Sequence, residues 1–386
     1  MEQQVMIRCS IMRGGTSKAV FLLESDLPRD EFVRRRVISS IFGSPDRRQI
    51  DGLGGADPLT SKCAVIGASG QDGADLDYSF YQVGIDSGVV KPSICGNISA
   101  AVGPFAIDGS LVKSTDPLTR VRIYNTHSRK MIYAEVPTID GRAAVEGDYR
   151  IDGVPGTGAK IMLDWKNAVG METAGLLPTG NPQDKIVVEG IGEIRVSIVD
   201  CGNPTVFIQA EEIGLRGTEG PEVVDSDPEL LSKLELIRGA AGELVGLVQD
   251  RRESRKQNPN HPLLAFVSPP ASYKSYLGAA VNAENLDLTA RLMFMQVMHK
   301  TYAGSGSICT GVAAKIEGTI PYELARKEAR ERIDFRIGHP SGVMPVESAV
   351  QKSGNTYEVE RAAVGRTARK IMDGFVYVRK SVLTPD

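Results

Sequence analysis

The chain of 386 residues carries 45 Lys and Arg against 48 Asp and Glu, with 41% hydrophobic and 24% charged residues. This is an ordinary soluble globular composition that excludes disorder, collagen and coiled coil. The net charge of −3 offers no bulk attraction to nucleic acid or to an anionic membrane, so neither partner is expected. Glycine, at 41 residues, exceeds the usual share of about 7% and calls for tight turns or close backbone approaches.

At about 100–200 residues per domain, the length suits two or three domains, each able to bury its own core. No signal-peptide pattern and no run of 18 apolar residues occurs, so a cytoplasmic protein is expected. Strand-like runs begin at Val5, Ala19, Lys62 and Asp75 in the first half, and at Lys185, Thr205, Leu263 and Gly374 in the second. Several alternate apolar and polar residues, as antiparallel or mixed sheets do. Three segments read as helices. Asp26 to Phe42 has a cap-like Asp26, Pro28 in its first turn and one face of Phe32, Val33, Val37, Ile38 and Ile41. Pro228 to Asp250 and Asp287 to Ala303 show the same periodicity, and Gly304 follows the latter as a stop.

GLLPTGNPQDK from Gly175 reads as a linker, and the segments on either side of it echo each other. IMRGGTSKAVFL from Ile11 resembles IVDCGNPTVFI from Ile198, and SICGNISAAVGPFAIDG from Ser93 resembles SICTGVAAKIEG from Ser307, at offsets of 187 and 214. Two domains of similar topology with a cleft between them are expected: residues 1–182, joined by a returning C-terminal strand at 372–386, and residues 183–371.

The five cysteines are odd in number, scattered and never in a CxxC pair, and no two of the four histidines stand four apart. Disulfides and a zinc site are not expected, and the chemistry should need neither metal nor other cofactor. RGGTSK, Arg13 to Lys18, joins two strands through paired glycines and hydroxyls. It serves as a hairpin turn or as a seat for a short anion, and it lacks the order and the helix of a nucleotide P-loop. Lys62 opens an apolar strand behind a glycine-rich loop and Ser61, where a lysine serves either as a solvated strand end or as a neutral base. Cys95 and Asn97, in CGN, precede a helix start that favours a reactive thiol over an inert buried one. In the second half, YAGSGSICTG supplies Ser307 and Cys309 at another glycine-rich helix start. Asn203 in DCGNP, Ser341 in GHPSG and Lys300, ending a Met-rich helix, are further polar candidates.

Taken together, MRGGTSK, GSPDRRQIDGLGGADPLTSK, ICGNISAAVGPFAI, DGVPGTGA, RLMFMQVMHKTYAG and RIGHPSG resemble the family of 2-methylaconitate isomerases and methylitaconate delta-isomerases, nearest its methylitaconate branch. That family includes oxalomesaconate tautomerases and aconitate isomerases, and the resemblance runs from about residue 5 to residue 345. It implies an α+β fold like diaminopimelate epimerase, two pseudo-symmetric domains each a curled sheet around a central helix. It also implies that Lys62 and Cys95 are catalytic, and that Thr16, Ser17, Ser61, Gly96 and Asn97, with Ser307 and Ser341, contact substrate carboxylates. Cys309 stands near the second thiol of the epimerases but in SICTG rather than CGTG, a departure that favours a lysine base over a two-thiol racemase.

The expected reaction is a 1,3-allylic proton shift on a small unsaturated di- or tricarboxylate, without cofactor, in a chain that forms a monomer or a homo-oligomer. Two other readings stay open: a two-cysteine amino-acid racemase using Cys95 and Cys309, and a carboxylate-binding protein without catalysis.

Overall fold

The computed structural model describes residues 3–170, 172–354 and 356–384. The chain divides into two compact units, Met1–Leu163 with Arg366–Asp386, and Asp164–Gly365. The first unit runs β1 (Gln4–Gly14), β2 (Ser17–Leu23), α1 (Glu31–Phe42), β3 (Lys62–Ala68), β4 (Leu76–Val83), β5 (Val90–Ser93), α2 (Gly96–Asp108), β6 (Leu118–Asn125), β7 (Lys130–Ile139) and β8 (Arg142–Ala143). The pairs β1–β2, β2–β3, β3–β4, β4–β6 and β6–β7 are in turn antiparallel, parallel, antiparallel, parallel and antiparallel.

After β9 (Ile161–Asp164), the second unit contains β10 (Asp184–Val188), β11 (Gly192–Cys201), β12 (Asn203–Gln209), α3 (Pro221–Asp225), α4 (Pro228–Leu244), α5 (Ser254–Gln257) and β13 (Leu263–Ser268). It continues through β14 (Tyr273–Lys274), β15 (Ala280–Val281), β16 (Leu288–Phe294), β17 (Val297–Met298), α6 (Gly304–Ala313), α7 (Ile320–Leu324), β18 (Asp334–His339), β19 (Gly342–Ser353) and β20 (Thr356–Arg366). The pairs β11–β12, β12–β13, β13–β16, β16–β18 and β18–β19 repeat the order antiparallel, parallel, antiparallel, parallel, antiparallel. The two units therefore share one topology, with α2 and α6 in equivalent places. The last strand, β21 (Ala368–Arg379), returns to the first unit and pairs antiparallel with β1.

Residues Gly96–Ile107 of α2 and all of α6 are buried. Neither helix has a solvent face, and the hydroxyls of Ser99, Ser307 and Thr310 bond back to backbone carbonyls; α2 packs against β1, β2, β6, β7 and β21. The segment GLLPTGNPQDK lies inside the second unit rather than between the two.

Two helix expectations are corrected. The first helix begins at Glu31, because the Asp30 carboxylate accepts from Val33 N at 2.9 Å and caps it there. Asp26 instead closes a 3-10 turn, and Phe32 points outward at 64% exposure. The span Asp287 to Ala303 is not a helix but the hairpin β16–β17, turned by Met295 and Gln296 at φ 53° and 61°. Leu288–Met293 is buried on both faces, so its run of apolar residues carries no readable period. The turn lacks the Asn or Gly that marks such hairpins. Lys300 accordingly follows a strand and is exposed.

Candidate active site

The hairpin between β1 and β2 turns through Gly15 and Thr16, with Gly14 opposite Ser17. Gly15 sits at φ +51°, and a Cβ on it would lie 2.2 Å from Asn97 Oδ1, so this turn requires glycine for conformation and for space. A Cβ on Gly14 would likewise lie 2.5 Å from Asn97 O. The turn is thus pressed onto the first residues of α2. Asn97 Nδ2 donates to Thr16 Oγ1 at 3.1 Å, and Arg366 Nε donates to Asn97 Oδ1 at 3.1 Å. Arg13 Nη1 donates to the carbonyls of Gly15 and Thr367 at 3.0 and 2.9 Å, which ties the turn to the strand returning from the C-terminus. Ser17 Oγ is buried and, among the described residues, has no hydrogen-bond partner.

Lys62 opens β3 beside this turn, since β2 and β3 run parallel with Ala19 opposite Lys62, and Lys18 N donates to Leu59 O at 2.9 Å. Its stem is buried and its Nζ donates to Gln82 Oε1 at 2.7 Å, 5.4 Å from the centre of the Phe80 ring. Gln82 Nε2 donates to Ser61 O and Pro58 O at 3.0 and 3.1 Å. Two carbonyls therefore fix which end of that amide faces the amine. Ser61 Oγ donates to Gln49 Oε1 at 2.8 Å, so its single proton is directed into the loop. Gln49 is the hub of that loop: Ala56 N also donates to it at 2.8 Å, and a Cβ on Gly54 would lie 2.1 Å from its side chain. The glycines of GLGGADP allow close packing within the loop, Gly52 against Phe42 and Gly43, Gly54 against Gln49 and Gly55 against Thr60, while Gly96 opens α2.

Cys95 is the half-buried N-cap residue of α2, and its carbonyl accepts from Ser99 N and Ser99 Oγ, each at 2.9 Å. Strand β4 links the two predicted catalysts. Lys62 lies opposite its Gln82, and Ser93, two residues before Cys95, lies opposite its Phe80.

The second unit holds the remaining predicted residues, and here the register of the repeat differs from the expectation. Gly202, at φ +82°, turns β11 into β12, and a Cβ on it would lie 3.2 Å from Ser305 O, as Gly14 approaches Asn97. Ser99 N bonds Cys95 O and Ser307 N bonds Ala303 O, so the helix starts correspond at an offset of 208 rather than 214. Ala303 therefore stands where Cys95 stands. Cys309 lies deep inside α6, fully buried, with Sγ donating to Val199 O at 3.2 Å, and burial pushes its thiol up to about 12. It is not a second thiol at a helix N-cap position. The letters SIC recur at different depths of the two helices, because the helix starts are set by the glycine turn and not by the cysteine.

Ser307 Oγ donates to Gly304 O at 2.8 Å, and Ser341 Oγ donates to Lys300 O at 2.5 Å, so both hydroxyl protons are held by backbone. Asn203 is buried at the start of β12, its Oδ1 without a partner among the described residues. Nothing local in the sequence marks Gln82, Gln49 or Arg366. Gln82 lies in a plain strand, and Arg366 stands 269 residues from the amide it holds.

Among the described residues no group of three or more His, Cys, Asp or Glu is placed to hold a metal, and no helix is long and apolar enough to cross a membrane. The PrpF protein family matches residues 4–379. The chain belongs to the PrpF family. Within it, 3-methylitaconate isomerase of Eubacterium barkeri is 50% identical over 385 residues, covering 99% of this chain and all of that protein. The 2-methyl-aconitate isomerase of Shewanella oneidensis is 38% identical, covering 98% of each chain. The crystal structure of methylitaconate-delta-isomerase matches this PrpF chain with a TM-score of 0.89 at 48% identity, covering 100% of this chain and 98% of that one. A hydroxyproline epimerase from Agrobacterium vitis, with trans-4-OH-L-proline bound, matches at TM-score 0.54 and 12% identity over 97% of this chain and 93% of that one, a likeness of fold alone. This PrpF protein is an isomerase with the epimerase-like α+β fold.

Proposed function

We propose that this isomerase moves a carbon–carbon double bond in a small unsaturated dicarboxylate by a 1,3-proton shift, with methylitaconate and dimethylmaleate as the first pair to test. The observation that carries the reading is the placement of a buried amine and of a thiol at a helix N-cap position on the two sides of β4. The 50% identity to 3-methylitaconate isomerase supports it.

In the proposed reaction Lys62 acts as the base and removes the proton that is both allylic and next to a carboxylate. The electron pair left on carbon spreads through the double bond into that carboxylate as a dienolate. A proton returned to the far carbon of the allylic system, by Lys62 or by the Cys95 thiol, completes the shift with no net gain or loss of protons. The dienolate carries charge that water stabilises poorly. The N–H groups at the start of α2 and the Thr16 hydroxyl supply donors there, each worth roughly 3–4 kcal/mol in oxyanion sites. Gln82 accepts one N–H of Lys62 and so anchors the nitrogen at the end of its buried stem.

The relative that acts on 2-methylaconitate makes a tricarboxylate the second reading. Proton NMR in deuterated water of the protein with methylitaconate, 2-methylaconitate, aconitate and oxalomesaconate decides between them. The expected result is double-bond migration with solvent deuterium at the new carbon for methylitaconate. Deuterium entering the alpha position of an amino acid, or no exchange in any of the four acids, would overturn the proposal.

A further inference from the structure

Arg366 and Thr16 face opposite ends of one buried amide. Arg366 is buried at 2% exposure, and its Nε donates to Asn97 Oδ1, while Asn97 Nδ2 donates to Thr16 Oγ1. A guanidinium has donors only. Burial pulls Arg366 down to about 10, which leaves it protonated at neutral pH. Asn97 must therefore present its oxygen to Arg366 and its NH2 to Thr16, and the usual two-fold ambiguity of an amide is removed. The amide is also clamped in place, because a Cβ on Gly15 would lie 2.2 Å from Asn97 Oδ1 and 3.1 Å from Arg366 Cδ.

The consequence falls on Thr16. Its hydroxyl accepts the Asn97 N–H, so its one proton is directed to another acceptor. Thr16 is half-buried at the tip of the turn, beside the opening of α2. Were the amide reversed, the hydroxyl proton would be drawn to Asn97 Oδ1, and an anion would meet lone pairs instead.

We propose that Arg366 is a positioning residue that, by fixing the Asn97 amide, makes the Thr16 hydroxyl a standing donor to a carboxylate of the substrate. The inference rests on the reading that the substrate is a dicarboxylate bound at this turn.

The test is a double-mutant cycle read in binding, not turnover, so that it fails separately from the proposed reaction. The probe is 2,3-dimethylsuccinate, a saturated diacid with no allylic proton to move, titrated calorimetrically into the full-length protein and into T16V, R366M and the double variant. Each single variant is expected to raise Kd about tenfold or more, the size of one hydrogen bond to a charged group. The double variant is expected to be no more than about twofold weaker than the weaker single, because both changes remove the same donor. Effects that multiply, an unchanged Kd in R366M, or no binding by the unaltered protein would each overturn the proposal.

If R366M does not fold, N97D takes its place. A carboxylate accepts from both sides, so it captures the Thr16 proton as well as adding charge. Its effect on Kd is expected to be about tenfold larger with Thr16 present than in the T16V background, and equal effects would overturn the proposal.

Discussion

Lys62→Ala separates chemistry from stability in this protein. The substitution removes the amine that lies 2.7 Å from Gln82 Oε1. A positioned general base contributes roughly 10²–10⁴ in rate, equivalent to about 3–5 kcal/mol of barrier. The folded state loses one hydrogen bond, worth about 1 kcal/mol net, and the packing of three buried methylenes at about 0.8 kcal/mol each, about 3 kcal/mol together, while Gln82 keeps its two carbonyl partners. With about 2–4 °C of melting temperature per kcal/mol in domains of this size, melting should fall by roughly 6–12 °C while activity falls by orders of magnitude. Gln82→Leu is the graded companion: it leaves the amine but removes its orienting acceptor, and should cost about tenfold in kcat. The assay is proton NMR in deuterated water, following loss of the allylic proton and appearance of the migrated double bond, with thermal melting of the same samples. More than a tenth of the activity surviving in Lys62→Ala with exchange intact would refute Lys62 as the base. A drop in melting large enough to account for the lost activity would refute the separation.

If the thiol is the group that returns the proton, Cys95→Ala should still wash the allylic proton into solvent while forming little product; full turnover would show that Lys62 performs both transfers. Iodoacetamide on the native protein should modify Cys95 alone, since burial raises the thiols of Cys9, Cys63, Cys201 and Cys309 while Cys95 is half-buried; mass spectrometry finding Cys309 modified in folded protein would contradict this. Asp287 is buried; burial raises its carboxyl, but hydrogen bonds and charge from Arg336 and Arg332 hold it below its usual range. Its contribution is therefore full above the unfolded carboxyl pKa near 3.9 and is lost as pH falls through the lower folded value. Asp287→Asn should lower stability at pH 7 by about 3 kcal/mol, the low end for a broken buried pair because both arginines keep contact with water. The difference from wild type should shrink below about pH 4, and a constant difference down to pH 2 would show that the charge of Asp287 is not what stabilises.

The resemblance carried by the sequence, and with it the fold, the reaction class and the pair Lys62 and Cys95, is a matter of local order. TSK at a strand start and CGN at a helix start are short stretches in which neighbours along the chain are neighbours in space. The glycine excess announced turns, and at Gly14 and Gly15 the reason is close approach to Asn97. Local pattern misled where burial was uniform: β16 is buried on both faces, so its apolar run read as a helix. It misled again where identical letters occupied different depths, with Cys95 capping α2 and Cys309 inside α6.

What only the tertiary structure decided is the direction of each proton. Ser61 donates to Gln49, Lys62 to Gln82, and Arg366 holds Asn97 so that Thr16 keeps a free proton. Those directions depend on partners brought together by strand pairing and by a strand returning from the far end of the chain. A hydrogen bond is directional and reaches about 3 Å, so the sequence names the donors and acceptors, and only folding sets which of them meet.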